Sequence, residues 1–391
     1  MSNSFKTFLK HIAKDFHNQS VNPPVVRAST IIFKSMKDIR KTQAKAIKNP
    51  TGGHYDYGRQ GTSTTYILQK ILTKLEESYH VFTTPTGFGA VFLAIFSVTR
   101  PGDEIIVADP VYSPTRILTE NFLKEFNIKT TFYDPHDLKT LEKSITKNTK
   151  LIFVENPGSN SFDFQNLGKI VSIAKKHKIL TAMDNTWGTP YFLKPIKLGF
   201  DMAIVSATKY YSGHSDVMGG SLAVNKKVFP KVKAAERITG LRLGPDDAYL
   251  ITRGLRTLDV RLDRHRENAK KVAEFLSKNK KFKLLYPYKK DSYNFRMWKK
   301  YYSGASGLMG VQIKSKNVNS IRKFVNSLKL FGYGYSWGGF ESLALHQEFR
   351  ETGKRKYLKL KKDEHLVRFH IGLEDPSDLI ADIKQALKHL K

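Results

Sequence analysis

The 391-residue chain contains no cysteine, which excludes disulfides, thiolate metal sites, iron–sulfur clusters and a cysteine nucleophile together. Long apolar runs are missing as well. The greasiest stretch, Ala90 to Val98, spans nine residues, whereas a membrane helix needs roughly 18 or more. Histidine is sparse, at 12 residues, and pairs such as His365 and His370 fit no metal-ligand spacing, so no metal site is expected. Acidic residues number only 35 against 66 basic ones, giving a net charge of +31. Such an excess makes a nucleic-acid-binding module the rival reading from a different class. Only 17 of the basic residues are arginine, however, and the 49 lysines are scattered through both halves of the chain. Bidentate phosphate recognition favours the planar arginine fork, so a solvated basic surface is the better reading and no specific nucleic-acid partner is expected. The densest run, Lys354-Arg355-Lys356 with Lys359, Lys361 and Lys362, suits at most weak polyanion binding.

What is present is enough to fold. With 40 % hydrophobic and 12 % aromatic residues, the chain can build sizeable cores in two to three domains. The opening Met1-Ser2-Asn3-Ser4-Phe5-Lys6 has no apolar segment ahead of its charges, so no membrane and a cytoplasmic address are expected. Residues 1–60 are polar and broken by Pro23-Pro24, Asn49-Pro50 and Gly52-Gly53; they read as an extended, helix-free arm that wraps another part of the protein or another subunit. From Tyr66 onward Ile67, Leu68, Ile71, Leu72 and Leu75 recur at helical spacing. Short apolar strands follow at Glu104–Ala108, Leu151–Val154, Leu180–Met183 and Ala203–Val205, with a helix marked by Ile170, Ile173, Ala174 and His177 between two of them. This alternation predicts an α/β fold whose large domain, residues 61–255, holds a mostly parallel sheet covered on both faces. Residues 256–391 read as a smaller α+β domain. It opens on a long helix through Ala269, Val272, Ala273 and Leu276 and closes on one capped by Asp375 and Pro376. The run Arg253, Arg256, Arg261, Arg264 and Arg266 is interleaved with Asp259, Asp263 and Glu267, which favours a local ion-pair network over an anion site.

Ligands of parallel sheets bind at the carboxyl ends of the strands, and four such ends carry unusual residues. Lys209 follows one in Ser206-Ala207-Thr208-Lys209, and Asp184 closes another in Met183-Asp184-Asn185-Thr186-Trp187. Taken alone, this pair is equally a salt bridge. Thr84-Pro85-Thr86-Gly87-Phe88-Gly89 is a glycine turn feeding an apolar helix, whose first N–H groups suit a phosphate. Tyr112, in Ala108-Asp109-Pro110-Val111-Tyr112, adds an aromatic beside the same cleft. A phosphate cup, a flat aromatic, a buried acid and a reactive lysine are together what pyridoxal phosphate requires, with the acid keeping the pyridine nitrogen protonated.

These residues resemble the Cys/Met-metabolism enzymes of pyridoxal-phosphate fold type I, the aspartate-aminotransferase-like fold. The likeness runs from about Tyr55 to Asp375, and Asp184-Asn185-Thr186-Trp187 together with Ser206-x-Thr208-Lys209-Tyr210 and Gly213-His214-Ser215-Asp216 carries it. The resemblance implies that Lys209 is the Schiff-base lysine, Asp184 the partner of the ring nitrogen and Tyr112 the stacking ring. It further implies that Gly87 and Phe88, with Ser206 and Thr208, hold the phosphate, and that Tyr57 and Arg59 of Tyr57-Gly58-Arg59-Gln60-Gly61-Thr62 reach the phosphate of a neighbouring subunit. A homotetramer built as a dimer of dimers is then expected. Arg368 would clamp the α-carboxylate of an amino-acid substrate. Ser336 and Trp337 stand in Tyr335-Ser336-Trp337-Gly338-Gly339, where the tryptophan resembles the bacterial cystathionine β-lyases within the family, and the two glycines point to a close backbone approach to a ligand. Asn156 and Asn166 depart from the family's commoner residues and bear on substrate preference. The expected reaction is β-elimination of L-cystathionine in methionine biosynthesis. Because other outcomes share one carbanion, γ-elimination, cysteine desulfhydration and alanine racemisation stay open as alternatives.

Overall fold

The computed structural model describes residues 4–12, 19–52, 56–287, 290, 292–347, 355–357 and 360–390. Met1, Ser2, Asn3, Gly53, Tyr55, Lys354 and Lys359, named above, lie outside them. Seven strands form the first sheet: β1 (His80–Thr84), β2 (Glu104–Ala108), β3 (Lys129–Tyr133), β4 (Thr149–Glu155), β5 (Leu180–Asp184), β6 (Met202–Ser206) and β7 (Gly220–Val224). Their order is β1-β7-β6-β5-β4-β2-β3. Strands β2 to β6 run parallel, and β7 is antiparallel to both of its neighbours. Because Gly220 pairs with both Thr84 and Ser206, the start of β7 shares one edge of the sheet with the carboxyl ends of the other strands. Every strand-end residue singled out above therefore faces the same rim.

Strand side chains alternate between two faces, and here both alternate sets are apolar. Ile106, Ile152, Val154, Met183, Ala203 and Val205 pack into one core with the helices Ser63–Leu75, Leu167–Lys176 and Pro245–Leu255. Ile105, Val107, Phe153, Ala182, Met202 and Ile204 pack into another with the helices Gly87–Phe96 and Phe229–Thr239. Fully burying a large aliphatic or aromatic side chain contributes about 1.5–3 kcal/mol, so a sheet buried on both faces selects continuous apolar strands. The polar residues are pushed to the strand ends.

The second sheet comprises β8 (Phe282–Leu285), β9 (Leu308–Lys314), β10 (Leu343–Gln347) and β11 (Glu364–His370), in the order β10-β11-β9-β8 and antiparallel throughout. Its core includes Val311, Ile321, Phe324, Val367, Phe369, Leu379 and Ile383. The helix Leu258–Leu276 joins the two halves, with Leu258 and Leu262 in the first core and Ala269, Val272 and Leu276 in the second. Asp375 caps the final helix, Pro376–Ala386, by accepting from the Ser377 N–H at 2.8 Å. Leu387 and Leu390 lie beyond that helix, with Leu387 opening a single further turn.

Two expectations are corrected. The arm is not helix-free: Met36–Lys48 forms a 13-residue helix that buries none of its residues. Ser35 caps it by accepting from the Asp38 N–H, and Asn49 ends it, so the prolines and glycines bound this helix rather than prevent it. The arginine-rich run is also not chiefly self-neutralising, since only Arg266 pairs locally, with Asp263 at 3.2 Å. Asp263 and Asp259 instead receive Lys6 and Lys10 from the first helix, and Arg256 binds Val21 and Asn22. The buried Arg261 donates to the carbonyls of Tyr210, Tyr211 and Gly254. The run is thus a dock for the N-terminal segment and for the turn after β6. Among the described residues, no helix is long and apolar enough to cross a membrane.

Candidate functional site

Lys209 sits one turn beyond β6. Its N–H donates to the Ser206 carbonyl at 3.1 Å and its carbonyl accepts from Gly213 at 2.9 Å, so the backbone that carries the side chain is fixed at both ends. The ε-amine reaches across the cleft to donate to Ser336 Oγ at 2.8 Å, and lies 5.5 Å from the centre of the Trp337 ring. Burial pushes this amine down to about 8, helped by the Arg368 guanidinium and opposed by Asp184. A lysine so placed spends an appreciable fraction of its time as the free base near neutral pH, which is what a nucleophile or proton acceptor requires.

Asp184 ends β5, the neighbouring strand. Its Oδ1 accepts from the Thr186 N–H at 2.9 Å and from Thr186 Oγ1 at 2.6 Å, while Oδ2 takes no hydrogen bond from a described residue. Thr186 Oγ1 in turn accepts from the Ser206 N–H at 2.9 Å, which couples the acid's orientation to the strand bearing the lysine. Burial raises the Asp184 carboxyl above its ordinary value, against the pull of Thr186 and Lys209. A buried acid with one oxygen held and the other open is matched to a cationic ring nitrogen.

The glycine turn forms the wall opposite. Thr86 caps the helix Gly87–Phe96 by accepting from the Gly89 N–H at 2.9 Å, and its carbonyl accepts from Ala90. The Gly87 and Phe88 N–H groups are left at the mouth of the turn. A Cβ on Gly87 would fall 2.5 Å from Ser206 Oγ, so glycine there keeps backbone amides and the serine hydroxyl within one small space. Thr208 closes the cup, bound to Gly219 through its own N–H and by the Gly219 N–H donating to its Oγ1. Amides, two hydroxyls and a helix start provide the donors that a phosphate dianion needs, and with Asp184 and Lys209 they fit pyridoxal phosphate.

The second half of the protein supplies the outer wall. Arg368, on β11, donates through Nη2 to the carbonyls of Gly334, Tyr335 and Ser336. Nε and Nη1 make no hydrogen bond to a described residue, so the guanidinium keeps donors for an anionic group. Burial lowers the Arg368 guanidinium to about 10, which still leaves it cationic at neutral pH. Gly338 has φ +90°, and a Cβ there would lie 2.9 Å from Lys209 Cβ. The close approach expected of this glycine is thus to the lysine itself.

The structure brings Lys209, Asp184, Gly87, Ser206, Thr208, Arg368, Ser336 and Trp337 to one rim, with Phe88 and Tyr112 half-exposed at its edge. Tyr57 and Arg59 are not brought there. Arg59 is exposed and donates to the Arg237 carbonyl at 3.0 Å, with its guanidinium 5.8 Å from the centre of the Tyr57 ring. Asn156 and Asn166 each make structural hydrogen bonds. Asn156 is buried, bonded to Tyr302 and Gln165, while Asn166 caps the helix Leu167–Lys176. Three residues that contact this rim were given no role by the sequence reading: Thr186, Glu155 and His370, whose Nε2 accepts from the Gly338 N–H at 3.2 Å. Thr186 stands inside the quoted Asp184 motif, so its hydroxyl was the available signal; the other two act through contacts distant in sequence.

MetB from Corynebacterium glutamicum superposes on the chain with a TM-score of 0.90 at 29 % identity, covering 100 % of this chain and 99 % of that one. Fold and rim together define a pyridoxal-phosphate enzyme of fold type I. Residues 7–388 match the family described as Cys/Met metabolism PLP-dependent enzyme, and the chain belongs to that family, with pyridoxal phosphate as its cofactor. Cystathionine beta-lyase from Bordetella avium is 36 % identical over 389 residues, 97 % of this chain and 96 % of that protein. L-Alanine/L-glutamate racemase from Wolbachia pipientis wMel is 36 % identical over 379 residues, 95 % of this chain and 93 % of that protein.

Proposed function

We propose that the protein catalyses β-elimination of L-cystathionine with water to homocysteine, pyruvate and ammonia. The observation that carries this reading is the position of the Lys209 amine, 2.8 Å from Ser336 Oγ and over Trp337, between Asp184 and Arg368. Gly87, Phe88, Ser206 and Thr208 would hold the cofactor phosphate, Asp184 its ring nitrogen and Tyr112 its ring face. Bound pyridoxal phosphate supplies an aldehyde for amine exchange and an electron-withdrawing ring that accepts the electron pair of a broken Cα–H bond.

The remaining work falls to side chains. Arg368 binds the substrate α-carboxylate and fixes which Cα bond faces Lys209. Tyr112 takes a proton from the incoming substrate amine. Lys209 Nζ removes the Cα proton, and a proton returned from the same atom reaches the sulfur as the Cβ–S bond breaks. Ser336 locates Nζ between these positions, and Trp337 excludes water from that side. Asp184 Oδ2 keeps the ring nitrogen protonated throughout.

The names of the relatives support β-elimination most directly, and the racemase relative keeps proton return to Cα as the competing outcome. A substrate panel separates them. Cystathionine should give pyruvate, whereas dominant α-ketobutyrate would indicate γ-elimination, and D-alanine from L-alanine in excess of pyruvate would make racemisation the principal activity. In solution we place the chain in a cytoplasmic homotetramer, in which Tyr57 and Arg59 complete the phosphate site of a neighbour and residues 61–255 and 256–391 act as the large and small domains.

A further inference from the structure

We propose that Glu155 is a positioning residue for Tyr112: its carboxyl grips the Tyr112 backbone N–H and so sets the aromatic ring over the space that Lys209 and Asp184 face. Glu155 is the last residue of β4 and pairs in register with Asp184 on β5, so two acids stand side by side at the cofactor rim. Its Oε2 accepts from the Tyr112 N–H at 2.6 Å. Around that bond the loop after β4 and the loop after β2 are zipped together. The Ser159 N–H donates to the Pro110 carbonyl at 2.7 Å. Gly158 lies so near Pro110 that a Cβ would come within 2.7 Å of its ring. From the far side, Arg116 folds back onto the Asp109 carbonyl and carboxylate at 2.7 and 2.6 Å. Of these grips, the one from Glu155 falls on the ring-bearing residue.

A second anion beside Asp184 would compete for the ring nitrogen's charge, and the surroundings of Glu155 resolve this. Burial and the Asp184 carboxylate push the Glu155 carboxyl well above its ordinary range, outweighing the Tyr112 N–H, Arg355 and Ser159, which act the other way. The contact survives either way, because a neutral carboxyl still accepts the Tyr112 N–H through its carbonyl oxygen. Glutamine, a neutral acceptor of the same shape, should therefore substitute where alanine does not.

The test follows cofactor geometry and retention in the holoenzyme, independently of turnover. In Glu155→Ala, the visible circular dichroism of the cofactor should weaken and cofactor release should quicken by about tenfold, the size expected for one lost hydrogen bond. Glu155→Gln should restore both to within about threefold of the native protein. In a double-mutant cycle the effect of Glu155→Ala should vanish in a Tyr112→Ala background. Should the alanine variant not fold, Glu155→Met keeps the volume and removes the acceptor. Native behaviour in the Ala or Met variant, a glutamine variant as poor as alanine, or a full effect without the Tyr112 ring would each overturn the proposal. It rests on the cofactor site assigned to Lys209 and Asp184, yet the two fail separately. A borohydride adduct away from Lys209 removes the site, whereas an adduct on Lys209 with an unaffected alanine variant removes only the role of Glu155.

Discussion

The ε-amine of Lys209 donates at 2.8 Å to the hydroxyl of Ser336, a residue 127 positions further along the chain. The lysine follows a strand of the parallel sheet and the serine belongs to the loop before β10, so this single bond joins the two halves of the protein across the cleft. Its consequences can be measured.

Lys209→Ala should purify without the yellow colour of the native protein and yield no phosphopyridoxyl peptide after borohydride reduction and mass spectrometry. Losing a positioned base should lower pyruvate formation by at least about a hundredfold. An adduct on the same tryptic peptide in the variant, or retained elimination, would contradict the assignment of this amine.

Recombination of the cofactor-free protein with pyridoxal phosphate should depend on the same group. The Lys209 amine, held down to about 8, is mostly cationic below that pH and nucleophilic above it, so the recombination rate rises with pH through about 8. Arg368 is one cause of the depression. Arg368→Gln should move the midpoint up towards the ordinary lysine value and slow recombination at neutral pH. An unmoved midpoint in stopped-flow absorbance would show that Arg368 does not act on this amine.

Acid should destabilise the fold through two histidines. Burial lowers His370 from 6.5 to about 4, and His265, with its ring 5.1 Å away, is pushed well below its ordinary value. The unfolded chain then binds protons first as pH falls below about 6.5. Stability is lost between there and about 4, by up to roughly 3 kcal/mol for His370 alone. Urea unfolding across this range should show a shallower decline for His370→Gln than for the native protein. Parallel curves would refute a buried neutral His370.

Gly338→Ala tests the contact behind Lys209. The left-handed backbone disfavours any side chain by about 1–2 kcal/mol, and the added Cβ would press on Lys209 Cβ from 2.9 Å. A lower melting temperature is expected, together with a fall in kcat that exceeds the change in KM, because the lysine rather than the carboxylate site is displaced. A drop in melting temperature with unchanged kcat would separate the strain from the chemistry.

Local pattern made much of this molecule legible. Glu104–Ala108 was readable to the residue because both of its faces are apolar and a proline-containing turn bounds it, and Asp375-Pro376 announced the last helix through capping chemistry. Lys209 and Asp184 stood out because charge at the end of an apolar strand contradicts its surroundings. The helix Met36–Lys48 was obscured because lysines dominate it and none of its residues is buried, so its few large apolar positions, Met36, Ile39 and Ile47, did not mark a core-facing stripe. Arg261 was misjudged because its partners are uncharged, the carbonyls of Tyr210 and Tyr211 about 50 positions away and that of Gly254 nearby, which no local charge pattern reveals. The hydrogen bonds of Asn156 and Asn166 were illegible for the same reason: their partners Tyr302 and Tyr301 come from the end of a distant helix.

The anchoring of the turn after β6 has a mechanical corollary. Arg261 clamps the Tyr210 and Tyr211 carbonyls, and Gly254 approaches them so closely that a Cβ would lie 2.3 Å from the Tyr211 oxygen. The opposing segment hangs chiefly on one side chain of the small half, Arg368, through the Gly334, Tyr335 and Ser336 carbonyls, and Tyr335 there is 86 % exposed. On gentle warming the jaw that bears the serine and tryptophan should loosen while its counterpart stays rigid, so selectivity among amino acids would degrade at temperatures where the yellow colour still persists.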